Sequence, residues 1–492
     1  MYDPTTSPAS PASPAPPQRL RDAWIPLAGL SAVFLFEMLD NSVLNVALPT
    51  IGRELSASTA TLQWVSGAYS VAFGGLMLLF GAVADRVGRR RVMLVGLTLL
   101  AVVSILTLFV TSVEQLIAVR ALMGVAAAMT TPGSMALAFR LFDEDDLRVR
   151  ALTVISTAGL IGLAVGPTIG GFVLAVAPWQ VLIVANAPIA VVALLGIRAG
   201  IAADRRSDHH RDPVDVIGAV LGTATVVGVL LTPTLFVAGT DVVPAWGAAV
   251  ATVAAAVGFA ARERTARHPL LDLSLVAQPL VASGLAYKAA AGLAVAGLSY
   301  LVTLQLQFAW GWPPALAAVG TLPQVVVLLA SGRFVGPFVK RVGLDRAAWM
   351  SAAAVVTGLA VFALLGRFGY PWVLVALVLV AAGMRVVGVV AGNNVLRGLP
   401  EDRTSIGAAL VDTASEIATA VGIAATGTIL AALVGGNIAT TTFTSAQLAS
   451  FQQAILIAGL TITALAAALV CLGIQRSRRT PANPTTQEPS HV

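Results

Sequence analysis

Charge is what this chain of 492 residues has least of: Asp, Glu, Lys and Arg together make up 11%, where a soluble protein carries about a quarter. Histidine is scarcer still. All four residues, His209, His210, His268 and His491, lie in connectors or in the final tail. That excludes a histidine-ligated centre inside the apolar runs and argues against an enzyme. The adjacent pair His209 and His210 reads as a solvated loop rather than a metal site, and no metal is expected. The single cysteine, Cys471, excludes an internal disulfide and any cysteine-cluster metal site. The first twenty residues, "MYDPTTSPASPASPAPPQRL", lack an apolar core and therefore read as neither a signal peptide nor a helix.

Hydrophobicity is what the sequence has instead. Hydrophobic residues make up 57% and the mean hydropathy is +0.86. Windows of about 20 apolar residues, the length that crosses a bilayer, predict fourteen helices. They lie near 24–49, 61–83, 92–110, 115–139, 151–176, 179–198, 215–237 and 244–261, then near 280–305, 314–338, 347–365, 371–394, 405–433 and 451–474. Basic residues test this count. With alternate connectors assigned to the cytoplasm, 24 Lys and Arg fall inside and two, Arg53 and Arg367, outside; a miscounted helix would scramble that asymmetry. The same distribution disposes of a nucleic-acid reading of the +6 formal charge, because the basic residues form no single stripe. The expected class is an all-α polytopic membrane protein with six plus two plus six helices. The expected parts are a disordered cytoplasmic tail 1–20, a six-helix bundle 21–200, a two-helix insertion 201–265, a second six-helix bundle 266–475 and a second cytoplasmic tail 476–492.

Four carboxylates break the apolar pattern. Glu37 and Asp40 lie in the first span, and Asp412 and Glu416 in the thirteenth, the latter pair at i and i+4 and so on one helix face. A carboxylate in the bilayer interior costs several kcal/mol, so its presence marks a function. Three cations stand against them: Arg120, Lys288 and Arg385. Arg120 stays charged at any accessible pH; it either snorkels to the outer end, about two turns away, or pairs with an acid in the interior. Two structural clusters are one reading of this ledger, Arg120 with the first-span acids and Lys288 and Arg385 with those of the thirteenth. The other follows from the count: four acids against three bases leave one carboxylate over, and a buried unmatched acid holds a proton near neutral pH.

Three further segments carry a pattern. "GAVADRVGRRRVML" (81–94) joins the second and third spans, with Gly81 allowing close helix approach and Gly88 suited to a turn with positive φ. Asp85, Arg86 and Arg89 put charge at the cytoplasmic edge; an ordinary positive-inside loop would look similar. "LIAVRALMGVAAA" (116–128) carries Arg120. "GLAVGPTIGG" (162–171) sets Gly162, Gly166 and Gly170 at four-residue spacing, a face for close helix packing, and Pro167 with Gly171 predicts a bend.

Together these segments, in this order, resemble the major facilitator superfamily. The first matches its loop pattern G-x-L-A-D-R-x-G-R-R with Val83 in the leucine position. The second resembles its fourth-helix arginine motif with Met123 where glutamine is common. The third fits G-x-x-x-G-P-x-x-G-G, which marks exporters rather than importers. "LDNSVLNVALP" (39–49) resembles the first-helix signature of the fourteen-helix drug:proton antiporters, the EmrB/QacA-type group. The second half departs from the pattern: "SGRFVGPFVKRVGLDR" (331–346) lacks the matching aspartate, and Gly67 stands where some quaternary-ammonium exporters carry an acid.

The resemblance implies a multidrug efflux transporter in the plasma membrane with both termini cytoplasmic. It would be a monomer that exchanges protons for amphipathic, often cationic compounds and draws on the proton gradient rather than a cofactor. The alternative is a dedicated exporter of one endogenous metabolite or antibiotic. Asp40, Glu37, Asp412, Glu416 and Arg120 are expected to couple protons. Asp40, Asn45, Arg120, Lys288, Arg385 and Glu416 are expected around the substrate cavity. Gly81, Asp85, Arg86, Gly88, Arg89, Gly162, Gly166, Pro167, Gly170 and Gly171 are expected to gate.

Overall fold

The computed structural model describes residues 19–478 except 143, 203, 205–214, 239–242, 268, 270–272, 400–403 and 435–443. His209 and His210, most of both tails, and some helical side chains, those of Asp85 and Asp412 among them, lie outside the described set. Seventeen α-helices run in order among the described residues. The first seven are α1 Trp24–Glu54, α2 Thr59–Val87, α3 Arg89–Leu106, α4 Val113–Arg140, α5 Asp145–Val176, α6 Gln180–Val184 and α7 Asn186–Gly200. Then come α8 Val216–Ala238, α9 Val243–Thr265, α10 Leu273–Ala277, α11 Pro279–Leu304, α12 Pro314–Ala330 and α13 Gly332–Val342. The last four are α14 Leu344–Leu365, α15 Tyr370–Gly398, α16 Thr404–Leu433 and α17 Ser445–Arg478.

Local chemistry accounts for the boundaries. Ser58 opens α2 by accepting from the Thr61 amide at 3.2 Å, and Ser112 opens α4 by accepting from that of Gln115, side-chain caps for amides that have no helical partner. Gly88, at φ +115°, turns the chain between α2 and α3 in a conformation that side chains rarely adopt. Pro188 lies in the first turn of α7 and withdraws a donor from the preceding turn, which separates α6 from α7 within one span.

Eleven helices among the described residues are long and apolar enough to cross a membrane, or twelve if α12 and α13 count as one span bent by 58°. The described residues do not confirm the fourteen expected spans. The two that separate the counts are α2, helical over its whole length but outside that group, and α8, whose apolar stretch is Val216–Val229. α5 is helical through Pro167; the sharp break between helices lies at the end of α12, at Ser331 beside Gly332, with Pro337 just beyond. Small residues and proline give a helix few restraints against such a kink.

Helices α1 to α7 pack on one another, and α11 to α17 do likewise. The two groups meet along α5 with α12 and along α2 with α16. The turns at 55–58, 110–112 and 177–179 share one end of the bundle, its distal end. Helix α8 pairs with α9 and also lies against both α2 and α16, with Thr223 Oγ1 donating to the Gly75 carbonyl at 2.5 Å.

At the opposite end of this pair Asp215 caps α8 through the Gly218 amide at 3.0 Å and takes Arg262 Nε on both carboxylate oxygens, at 3.0 and 2.8 Å. Burial opposes its charge, but the Arg262 guanidinium and the backbone amides outweigh it and hold its carboxyl below the usual range.

Candidate functional site

The first-span acids sit where three helices converge. Asp40, on α1, is 4% exposed and Arg120, on α4, is fully enclosed. Arg120 Nη1 donates to Asp40 Oδ2 at 2.6 Å. Its Nε reaches the Val65 carbonyl of α2 at 3.3 Å, and its guanidinium carbon lies 4.6 Å from the centre of the Tyr69 ring. Arg120 therefore does not snorkel: carboxylate, carbonyl and aromatic face replace the water it has left. The other oxygen of Asp40 accepts from Asn186 Nδ2 of α7 at 2.7 Å. One turn earlier, Glu37 Oε2 accepts from Thr131 Oγ1 of α4 at 2.9 Å.

Tyr69 stands at the centre, with Glu37, Asp40, Arg120 and Glu416 of α16 all within electrostatic reach of it. Of the thirteenth-span acids, the side chain of Asp412 lies outside the described residues, and its expected pairing with Lys288 and Arg385 with it. Arg385 lies beside Gly332 at the break between α12 and α13.

The six expected cavity residues divide by burial. Asp40, Arg120 and Asn45 are closed off, whereas Lys288, Arg385 and Glu416 are half-buried.

The glycines of α5 are not equivalent. A β-carbon on Gly162 would lie 2.6 Å from the Leu35 carbonyl, and one on Gly166 would lie 2.7 Å from Ser42 Cβ, both on α1. At Gly170 the nearest atom is 3.5 Å away, an ordinary contact. Gly171 faces the other half, where a β-carbon would lie 2.5 Å from Ala318 Cβ and 2.6 Å from the Pro314 carbonyl of α12. Pro167 has its own role in this contact. It has no amide to give the Leu163 carbonyl, and Ser42 Oγ donates to that carbonyl at 2.8 Å.

Gln307 ties the halves together at the distal end. It lies in a π-helical turn, Gln305–Ala309, that continues α11, and its Nε2 donates to the Val46 carbonyl of α1 at 3.1 Å. Pro49 has taken one intrahelical donor out of this same turn of α1.

At the opposite end, Gly81 and Arg86 occupy the last turns of α2 and Arg89 begins α3. Asp204, which the sequence did not single out, packs where a side chain on Gly88 would go, and its Oδ2 accepts from the Arg91 amide at 3.3 Å. Arg90 donates to the Arg198 carbonyl at the end of α7, at 2.9 Å. An acid facing the amides at a helix start is stabilising. Asp204→Ala is therefore expected to cost about 0.5–2 kcal/mol, read as a lower thermal midpoint of the purified protein. An unchanged midpoint would mean that Asp204 only fills space.

Comparison with known proteins adds to this geometry. The model of the family described as Major Facilitator Superfamily matches residues 30–423. The multidrug efflux pump LfrA of Mycolicibacterium smegmatis is 28% identical over 418 residues, 85% of this chain and 82% of its own. The cephamycin export protein CmcT of Amycolatopsis lactamdurans is 30% identical over 420 residues, 81% of this chain and 83% of its own. The puromycin resistance protein pur8 of Streptomyces alboniger is 30% identical over 419 residues, 82% and 81% respectively. Among solved structures, the inward-facing, unoccupied form of a bacterial homolog of the human lysosomal transporter Spinster superposes with a TM-score of 0.63 at 15% identity. It covers 93% of this chain and 97% of its own.

Proposed function

The chain belongs to the major facilitator superfamily, and from that membership we propose that it is a proton-coupled multidrug exporter of amphipathic, often cationic compounds. Its full form in this reading is the fourteen-span, EmrB/QacA-type antiporter, a monomer in the plasma membrane with both termini in the cytoplasm. The two six-helix halves alternate access to a central substrate site. The proton gradient supplies the energy, so no cofactor is needed.

The observation that carries the reading is the enclosed Asp40–Arg120 pair. A buried ion pair is a poor stabiliser compared with apolar packing of the same volume, so its presence in a membrane helix calls for a use. Proton uptake at Asp40 from outside weakens its hold on Arg120 and accompanies substrate release; proton loss to the inside restores the full strength of that hold. Gly171 against α12 and Gln307 on Val46 support the alternation, because both are contacts between halves that must part when the distal end opens. The printed names of the relatives LfrA and pur8 support a drug-like cargo. The name of CmcT supports the second reading, a dedicated exporter of one antibiotic-like product.

Purified protein in lipid vesicles tests this. Ethidium, an amphipathic cation, or puromycin added on the cytoplasmic side is expected to drive protons in the direction opposite to substrate flow, and collapsing the pH gradient is expected to stop accumulation. Transport of either probe with no accompanying proton movement would overturn the coupling. A response to one compound in a structurally varied panel would favour the dedicated exporter.

A further inference from the structure

We propose that Asn186 is a positioning residue for the coupling carboxylate, the group that an incoming proton must displace. The inference rests on the reading of Asp40 as the proton site and assigns a role to a neutral residue that the charge count passes over. Asn186 is 1% exposed. Its placement follows from the local sequence: Pro188 interrupts the span between Val184 and Asn186, and the new helix starts with Asn186 directed at α1. An ionised carboxylate only accepts hydrogen bonds, so the amide nitrogen and not the amide oxygen faces it.

The two oxygens of Asp40 are thereby differentiated. Oδ2 is held by the Arg120 guanidinium at 2.6 Å and Oδ1 by the Asn186 amide at 2.7 Å. A bond from a cation is roughly twice as strong as one from a neutral donor, so Oδ1 is the oxygen that a proton can take. On arrival the proton forms an O–H bond at Oδ1, the Nδ2–H···Oδ1 contact breaks, and the Arg120 contact at Oδ2 stays. Both partners belong to the same half as Asp40, so this exchange breaks no contact between halves. Asn186 sets how much proton concentration the exchange requires, because a donor to the charged form must be outcompeted.

Among the described residues, the ionisable groups in this region are Glu37 on the same helix, Tyr69 on α2 and Arg120 on α4, with Glu416 of α16 in electrostatic reach of Tyr69. Among the described residues α5 brings Gly162, Gly166 and the Leu163 carbonyl to α1, none of them charged, and α7 brings Asn186. Removing the amide leaves that set intact, so a change in pH response reports the amide alone.

The test is infrared titration of the protonated-carboxyl band in full-length protein in lipid, with ethidium or puromycin flux measured in parallel. Asp40→Asn identifies the component of the band that belongs to Asp40. Asn186→Ala is expected to move the midpoint of that component to higher pH by about one unit, the size of one hydrogen bond to a charged group. Asn186→Ser, which keeps a shorter donor, is expected to fall between, and gives the same readout if the alanine variant does not insert. An Asp40 component that stays in place in both Asn186 variants overturns the inference while leaving the coupling role of Asp40 standing. If Asp40→Asn removes no component and still accumulates substrate, the coupling reading fails as well.

Discussion

Asp40→Asn is expected to abolish accumulation of substrate against its gradient while downhill exchange survives. The asparagine imitates the protonated acid, so the protein can still pass between its two access states but no longer binds and releases a proton. The same change leaves Arg120, fully enclosed, without its carboxylate. Breaking a buried pair from one side costs about 3–5 kcal/mol, so the variant is also expected to unfold at lower temperature. Stability and coupling can be separated by a second variant, Asp40→Asn with Arg120→Leu. It removes both charges and is expected to regain stability without regaining coupled transport. Vesicles with an imposed pH gradient measure the first effect and thermal unfolding the second. If the single variant still concentrates ethidium or puromycin, the coupling proton rides on another acid, and Asp412 with Glu416 is the next pair to neutralise.

Gly171→Leu is expected to be as damaging by a different route. The added carbons meet Ala318 and the Pro314 carbonyl of α12, and a backbone carbonyl cannot swing aside as the end of a long side chain can. The contact between halves at the distal end is forced apart, and transport falls by at least an order of magnitude, since a packing error of this kind costs about 1–3 kcal/mol even where the core can adjust. Replacing Cys471, the one native cysteine, by serine allows a reporter cysteine at Val46. Val46 is 2% exposed and should resist alkylation, whereas in the Gly171→Leu background it should label readily. Gly170→Leu is the internal control, because its surroundings are looser. Protection of the reporter in both variants would remove Gly171 from the moving contact.

Much of the fold was legible because lipid imposes a strict rule: long apolar segments and few charges between them. Hydropathy located the helices, and the scarcity of charge pointed to Asp40 and Arg120, which the structure brings together. The limits were physical too. Asn186, Thr131 and Asp204 are neutral or loop residues whose importance comes only from the carboxylate or helix end they meet. Gln307 and Val46 are 261 positions apart, and no local pattern relates them. The spacing of Gly162, Gly166 and Gly170 gave one face of α5 but not how closely each approaches α1. Gly171, one residue on, faces the other half. Charge counting offered Lys288 and Arg385 as partners for the acids of α16, but a count of signs does not give directions around a helix, and the side chain of Asp412 lies outside the described residues.

Helix α8 has a consequence for how greasy molecules reach the interior. Two seams divide the halves, one along α5 and α12, the other along α2 and α16, and α8 lies across the second, touching both of its walls. A compound dissolved in the leaflet meets, on that side, a slot that α8 covers. Cross-linking bulky lipids or photoactivatable amphiphiles to the chain should therefore mark α5 and α12 far more than α2 and α16, and equal labelling of both would argue against it. The inserted pair thereby biases lateral entry toward the seam that α8 leaves alone.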